Sequence, residues 1–236
     1  MKDNKFKQTT HRRGFIGAIA AGAAALSMAS LAPLNLHAEP LAEMAKATSD
    51  PETPEEWFNK INGKHRIVFD ATHPEEVFPF AWPRVFLITN EKTGTPAKDC
   101  SVVVVLRHSA IPFAFEDRVW KKYNFGKKFK IDDSTTKTAS VRNPFWKPAK
   151  GDFSMPGIGE VQIGINELQD DGVMFCVCDM AITVQSAVVA KDMKLDAAEV
   201  KKDWLTGLLP GIMVVPSGVW AVGRAQEHNC AYCFVG

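Results

Sequence analysis

Ser101-Val102-Val103-Val104-Val105-Leu106 is a continuous, mostly β-branched run. A strand with one wet face alternates apolar and polar side chains; a run without alternation predicts a strand covered on both faces, as in the middle of a parallel sheet. Four further stretches read the same way on either side of it. His65-Arg66-Ile67-Val68-Phe69-Asp70 precedes it, and Gly172-Val173-Met174-Phe175-Cys176-Val177-Cys178, Gly211-Ile212-Met213-Val214-Val215 and Ala231-Tyr232-Cys233-Phe234-Val235 follow. Helical stretches are expected between them at 80–89, 116–123, 158–168, 180–190, 197–205 and 219–227. Over 158–168 the apolar residues fall at 158, 161, 165 and 168, the spacing of one helix face. Strands alternating with helices imply right-handed crossovers. The expectation is an α/β fold: a doubly wound, mostly parallel five-stranded sheet in a flavodoxin-like three-layer sandwich, with strand order 2-1-3-4-5.

The amino end carries a different signal. His11-Arg12-Arg13-Gly14-Phe15-Ile16-Gly17 opens an uncharged, Ala/Gly-rich stretch that runs to about Ala38. Paired arginines, a mildly apolar segment and a small residue before a break predict a twin-arginine export signal over 1–38, with cleavage after Ala38. The alternative is an uncleaved anchor helix, although the stretch is too interrupted for a good membrane span and Pro33 breaks it. The expected consequences are export by the twin-arginine machinery, a periplasmic location and no stable span after cleavage. Residues 39–56, with Pro40, Pro51 and Pro54, read as a linker, and 57–236 as one α/β domain. Within it, 132–154 is an irregular insertion suited to a lid, an oligomer contact or a mobile excursion.

The chain has 236 residues and a net charge of +1; without the five basic residues and one acidic residue of the leader it holds 23 basic and 26 acidic residues. That balance offers no basic face for nucleic acid. No Gly-x-Gly-x-x-Gly follows a strand, so no flavin or nicotinamide fingerprint is present, and the sequence specifies no cofactor.

Five cysteines, Cys100, Cys176, Cys178, Cys230 and Cys233, leave at least one without a partner. Ligands of doubly wound sheets lie beyond the carboxyl ends of the strands, and this ranks the thiols. Cys178 ends a strand just before a helix, whose amino terminus favours a thiolate; the alternatives for it are a reactive or ligating thiol and an inert core-edge residue. Cys176 lies two residues deeper on the same side and reads as core or as a second thiol. Cys100 and Cys230 lie at the opposite end of the sheet. The Cys230/Cys233 pair reads as buried or as a local disulfide rather than as a redox site. His108 follows the second strand at the rim and is either a base, ligand or thiolate partner facing Cys178, or a hydrogen-bonded loop histidine. Arg107 is a candidate anion clamp or a structural arginine. Ser217, at the turn into the last helix, is a helix cap whose neighbouring amides suit an anion.

The C-terminal third then carries a recognisable pattern. Cys178, followed by Leu208-Leu209-Pro210-Gly211-Ile212-Met213-Val214-Val215-Pro216-Ser217-Gly218-Val219, Arg224-Ala225-Gln226-Glu227 and a short aromatic last strand, resembles the DsrE/DsrF-like sulfur-relay family over about 60 residues. The resemblance implies a doubly wound α/β fold, a homo-oligomer, a protein sulfur donor or acceptor, and a persulfide-carrying cysteine that falls on Cys178. The export signal, the Cys-x-Cys pair and the 132–154 insertion depart from that family's pattern. Three functions follow as expectations: an exported sulfur- or thiol-handling protein using Cys178, Cys176 and His108; a soft-metal-binding protein using the same three residues; or an oligomeric accessory subunit with inert cysteines.

Overall fold

A computed structural model describes residues 52–236; the expected export signal and most of the linker lie outside the described residues. The domain opens earlier than Trp57. Helix α1 (Pro54–Phe58) is started by a capping box in which Thr53 and Glu56 each bind the other's backbone N–H, and it takes in the last residues assigned to the linker. Strand β1 (His65–Ala71) leads into α2 (Phe78–Lys92), and β2 (Cys100–Leu106) into a 3-10 segment, His108–Ala114. Two short helices follow, α3 (Asp117–Tyr123) and α4 (Phe125–Phe129), then the small strands β3 (Ser154–Met155) and β4 (Gly159–Glu160) and helix α5 (Ile165–Asp170). The chain closes through β5 (Met174–Cys178), α6 (Asp179–Met193), α7 (Ala197–Thr206), β6 (Ile212–Val215), α8 (Gly218–Glu227) and β7 (Ala231–Val235).

The main sheet has five strands in the order β6-β5-β2-β1-β7, and every neighbouring pair is parallel. The α/β doubly wound sandwich is therefore the fold. The strand order is not the expected one. Numbered along the chain, the five strands run 5-1-2-3-4: the second and third are neighbours, and the first lies between the second and the last. Three successive crossovers step the same way across the sheet, and only the last returns. Right-handed crossovers then send the first three connections to one face and the last to the other, as the packing shows. Residues of α2 to α7 share one core with Phe69, Val102, Val104, Phe175 and Val177. Residues of α1 and α8 share a smaller one with Val68, Val103, Val105, Cys176 and Val215.

The larger core is aromatic. Phe125 and Trp204 have ring centroids 4.7 Å apart at a steep angle, and Phe80 and Phe113 lie 5.1 Å apart edge to face, arrangements that favour aromatic pairs beyond their buried area. The 132–154 excursion is fastened to this core. Asn143 Nδ2 donates to the carbonyls of Phe113 and Phe115 at 2.9 and 3.0 Å, and Phe145 stacks between Phe80 and Phe153 at 4.2 and 4.9 Å.

One expected helix is half wrong. Only 165–168 of the 158–168 stretch is helical, within a helix that runs over Ile165–Asp170. The first part of the stretch forms the β3–β4 hairpin, with Ile158 at the tip and 66% exposed. Gly157 and Gly159 there have φ of +78° and +91°, a backbone that suits a tight turn and that a helix does not adopt.

Candidate functional site

The crossover pattern fixes where a crevice opens. The chain leaving β5 turns into α6 on the face of the larger core, and the chain leaving β6 turns into α8 on the opposite face. Strands β5 and β6 are neighbours, with Cys178 paired to Val215. Their connections part there, which is the topological switch point where ligands of such sheets bind. Cys178 stands on one lip and Ser217 on the other.

Cys178 is the last residue of β5 and the N-cap of α6, and its Sγ accepts the backbone N–H of Ala181 at 3.2 Å. The residue is 6% exposed and belongs to neither hydrophobic core cluster. The 15-residue helix behind it aims the positive end of its dipole at the sulfur. Asp179, in the first helical turn, is held 3.0 Å from Lys201 Nζ of α7. Ser217 does the same task for α8: its Oγ accepts the N–H of Trp220 at 3.2 Å.

Arg107 lies directly after β2 and turns toward β1. Its Nε and Nη2 donate to the two carboxylate oxygens of Asp70 at 2.6 and 2.9 Å, and the Tyr232 hydroxyl of β7 donates to the same carboxylate at 2.9 Å. Asp70 is buried, so this fork satisfies a charge that would be costly alone. The hydrogen bonds to Asp70 raise the Arg107 guanidinium above its ordinary value, burial opposes them, and the Asp70 charge, with lesser contributions from Tyr232 and Cys178, adds to the rise. Arg107 thus stands within the electrostatic reach of the Cys178 sulfur. Its stem passes under the start of α8, where a Cβ on Gly218 would lie 2.6 Å from both Cβ and Cδ of Arg107. Glycine is what lets that helix begin over the arginine.

Cys176 is fully buried in the smaller core, and burial, with a lesser contribution from Cys178, pushes its thiol far up. His108 directly follows Arg107 on the rim. Its backbone is left-handed, with φ of +52°, its ring lies 5.1 Å from that of His73, and its Nδ1 lies 2.9 Å from Ser109 Oγ. These are neighbours on the β1 and β2 loops. The 2-1-3-4-5 order would have set His108 and Cys178 on either side of the first strand; in the observed order β2 and β5 are direct neighbours, so the two residues stand at the carboxyl ends of adjacent strands. Cys100 and Cys230 lie at the amino end of the sheet, where burial pushes Cys230 up to about 11 against the opposing charge of Arg66. All five cysteines are free thiols, Cys230 and Cys233 included. Among the described residues no group of three or more His, Cys, Asp or Glu side chains is arranged to hold a metal ion, and no helix is long and apolar enough to cross a membrane.

The structure thus brings Cys178, Ser217 and Arg107 to the carboxyl rim of β2, β5 and β6, keeps Cys176 beneath it and places His108 next to Arg107 on the same rim. Asp70, Tyr232 and Lys201 are the members that sequence reasoning missed. Asp70 carried a signal: a carboxylate closing an apolar strand, at the rim where ligands bind.

No protein-family profile and no curated protein sequence matches the chain. Among solved structures it is similar to a protein of unknown function from Methanobacterium thermoautotrophicum, at 19% identity and a TM-score of 0.34, over 73% of this chain and the whole of that one.

Proposed function

We propose that the protein handles sulfur or thiols through Cys178, at the switch point between β5 and β6. The observation that carries this reading is the sulfur's position as hydrogen-bond acceptor at the start of a 15-residue helix. A neutral thiol is a weak acceptor; an anionic sulfur fits a backbone N–H and a helix amino terminus far better.

The step is transfer of one sulfane sulfur. The Cys178 thiolate attacks the outer sulfur of a persulfide donor, R–S–SH. A bond forms between Cys178 Sγ and that sulfur, the donor's S–S bond breaks, and its electron pair leaves with R as a thiolate. The result is Cys178–S–SH with no net loss of electrons or protons. Arg107 and the free amides at the start of α8, beside Ser217, suit the negative charge that gathers in the crevice. In this reading the mature protein works in the periplasm after twin-arginine export, as a homo-oligomer that exchanges sulfur with a donor or acceptor protein. Cys176 is the buried neighbour that keeps β5 packed, and His108 serves the β1–β2 rim.

A second reading has a specific observation behind it. Cys178 is only 6% exposed, which suits an inert cap in an oligomeric accessory subunit. Alkylation with iodoacetamide at about neutral pH, read by mass on the native protein, separates the two. The sulfur-handling reading requires Cys178 to be modified first among the five thiols and to gain one sulfur from a small persulfide donor. Failure of Cys178 to react before the protein unfolds establishes the inert cap.

A further inference from the structure

A second cleft, of about 750 Å³, lies between α2 and the β3–β4 hairpin. Its size is that of small-molecule sites, and its lining is divided in character. Ile88, Phe153, Ile158 and Val161 supply apolar wall, and Arg84 and Lys150 supply positive charge. The acids on the same wall are engaged within the protein. Glu160 accepts the Gly151 N–H at 3.1 Å and Glu167 accepts that of Gly164 at 2.8 Å.

Arg84 is unusual. Its side chain is 12% exposed. Its Nε donates to the Gln162 carbonyl and its Nη1 to Asp171, yet Nη2 is buried with no acceptor. A buried donor without a partner is unfavourable. Among the described residues Lys150 has no ion-pair partner. The apolar residues at the mouth are also out of place. Ile158, at the hairpin tip, stands 66% exposed, and Ile88 of α2, on the same lining, is exposed as well. Large apolar side chains left in water beside a cleft mark a surface that is covered when something binds.

We infer that this cleft binds an organic carboxylate with an apolar body, an acyl or aromatic acid, whose head group meets Lys150 and whose body packs under Ile158. A carboxylate is held by an ammonium more strongly than any neutral head group is. The hairpin, hinged at Gly157 and Gly159, supplies the apolar side of the seat. This site is separate from the switch-point crevice and stands or falls without Cys178.

Titration of the intact protein with octanoate, followed by saturation-transfer NMR and thermal unfolding, tests it, with octanamide as the uncharged control. Octanoate should bind roughly tenfold more tightly than octanamide, the gap that one charge-assisted head-group contact provides. Lys150→Ala and Ile158→Asp, both at exposed positions that leave the core intact, should each weaken octanoate binding at least severalfold, and Cys178→Ser should leave it unchanged. Equal affinity for acid and amide overturns the inference, as does wild-type binding by the Lys150 and Ile158 variants. A change of oligomeric state in Ile158→Asp without any effect of octanoate overturns it too, and marks the face as a protein contact.

Discussion

Two helices start side by side at the carboxyl edge of the sheet, and they are capped alike by different atoms. Ser217 accepts the Trp220 N–H at 3.2 Å, and Cys178 accepts the Ala181 N–H at the same distance. Serine is among the best residues for that task, while cysteine is not a preferred cap. The two sites also differ behind the cap. α8 begins with Gly218 over the stem of Arg107, whereas α6 begins with Asp179 held by Lys201. The comparison teaches that geometry alone does not explain the sulfur. A hydroxyl would complete the helix start equally well, so the thiol's presence asks for a chemical reason, and the sulfur-handling reading supplies one.

The strongest way to break the comparison is to make the two caps identical. Cys178→Ser should leave folding stability within about 1 kcal/mol of the parent, because serine caps well. It should also remove all rapid alkylation at neutral pH and all sulfur loading. A variant that still takes up sulfur at the same rate would refute the role given to Cys178. The paired control is Cys176, whose thiol burial pushes up; in the native state it should stay unmodified on the timescale that consumes Cys178, and react only on unfolding.

The next largest effect lies on the other helix. A Cβ at residue 218 would stand 2.6 Å from two carbons of Arg107. Gly218→Ala should therefore cost about 1–3 kcal/mol in urea unfolding, as overpacking does, because either α8 or the Arg107–Asp70 fork must move. Stability equal to the parent's would mean that the arginine stem yields freely and does not hold the crevice.

How far the chain could be read in advance follows from the range of each interaction. β2 and β5 were legible because burial on both faces leaves a local mark, the unbroken valine run and 173–178. The seat of Cys178 at a helix start was legible for the same reason, since strand end and helix start are neighbours in sequence. The strand order was not legible: β1 lies between β2 and β7 because the last crossover reverses direction, and no local residue pattern records that choice. The consequence is specific: β2 and β5 lie side by side, so the His108 loop is one strand from Cys178 rather than two, and its ring rests against His73. Arg107 was recognised, but its partner Asp70 is 37 residues away, and only the parallel register joins them. The hairpin at 154–160 was misread because apolar residues at 158, 161, 165 and 168 satisfy a helical period by coincidence. Gly157 and Gly159 were the evidence against it.

A milder change sharpens the contrast between the caps themselves. Ser217→Ala should cost about 1 kcal/mol, the ordinary value for losing a cap, and should leave the alkylation rate of Cys178 unaltered, because α8 would lose order at its first turn without moving α6. A fall in that rate would show that the two lips of the crevice act as one unit.

The smallest effect isolates electrostatics from packing. Asp179 places a negative charge one residue beyond the thiol, and Lys201 neutralises it from 3.0 Å. The bridge is partly exposed, so its worth to stability is small. Its worth to the sulfur is different, because a thiolate beside an uncompensated carboxylate is disfavoured. Lys201→Met should therefore slow alkylation of Cys178 at neutral pH by about two- to fivefold, and Asp179→Asn should speed it. The double variant should sit close to the parent, since the pair is neutral both before and after. Added salt should shrink all three differences, as screening requires. Were the Lys201 variant to react at the parental rate in low salt, the sulfur would be insensitive to charge at its own helix start, and cysteine and serine would be equivalent caps after all.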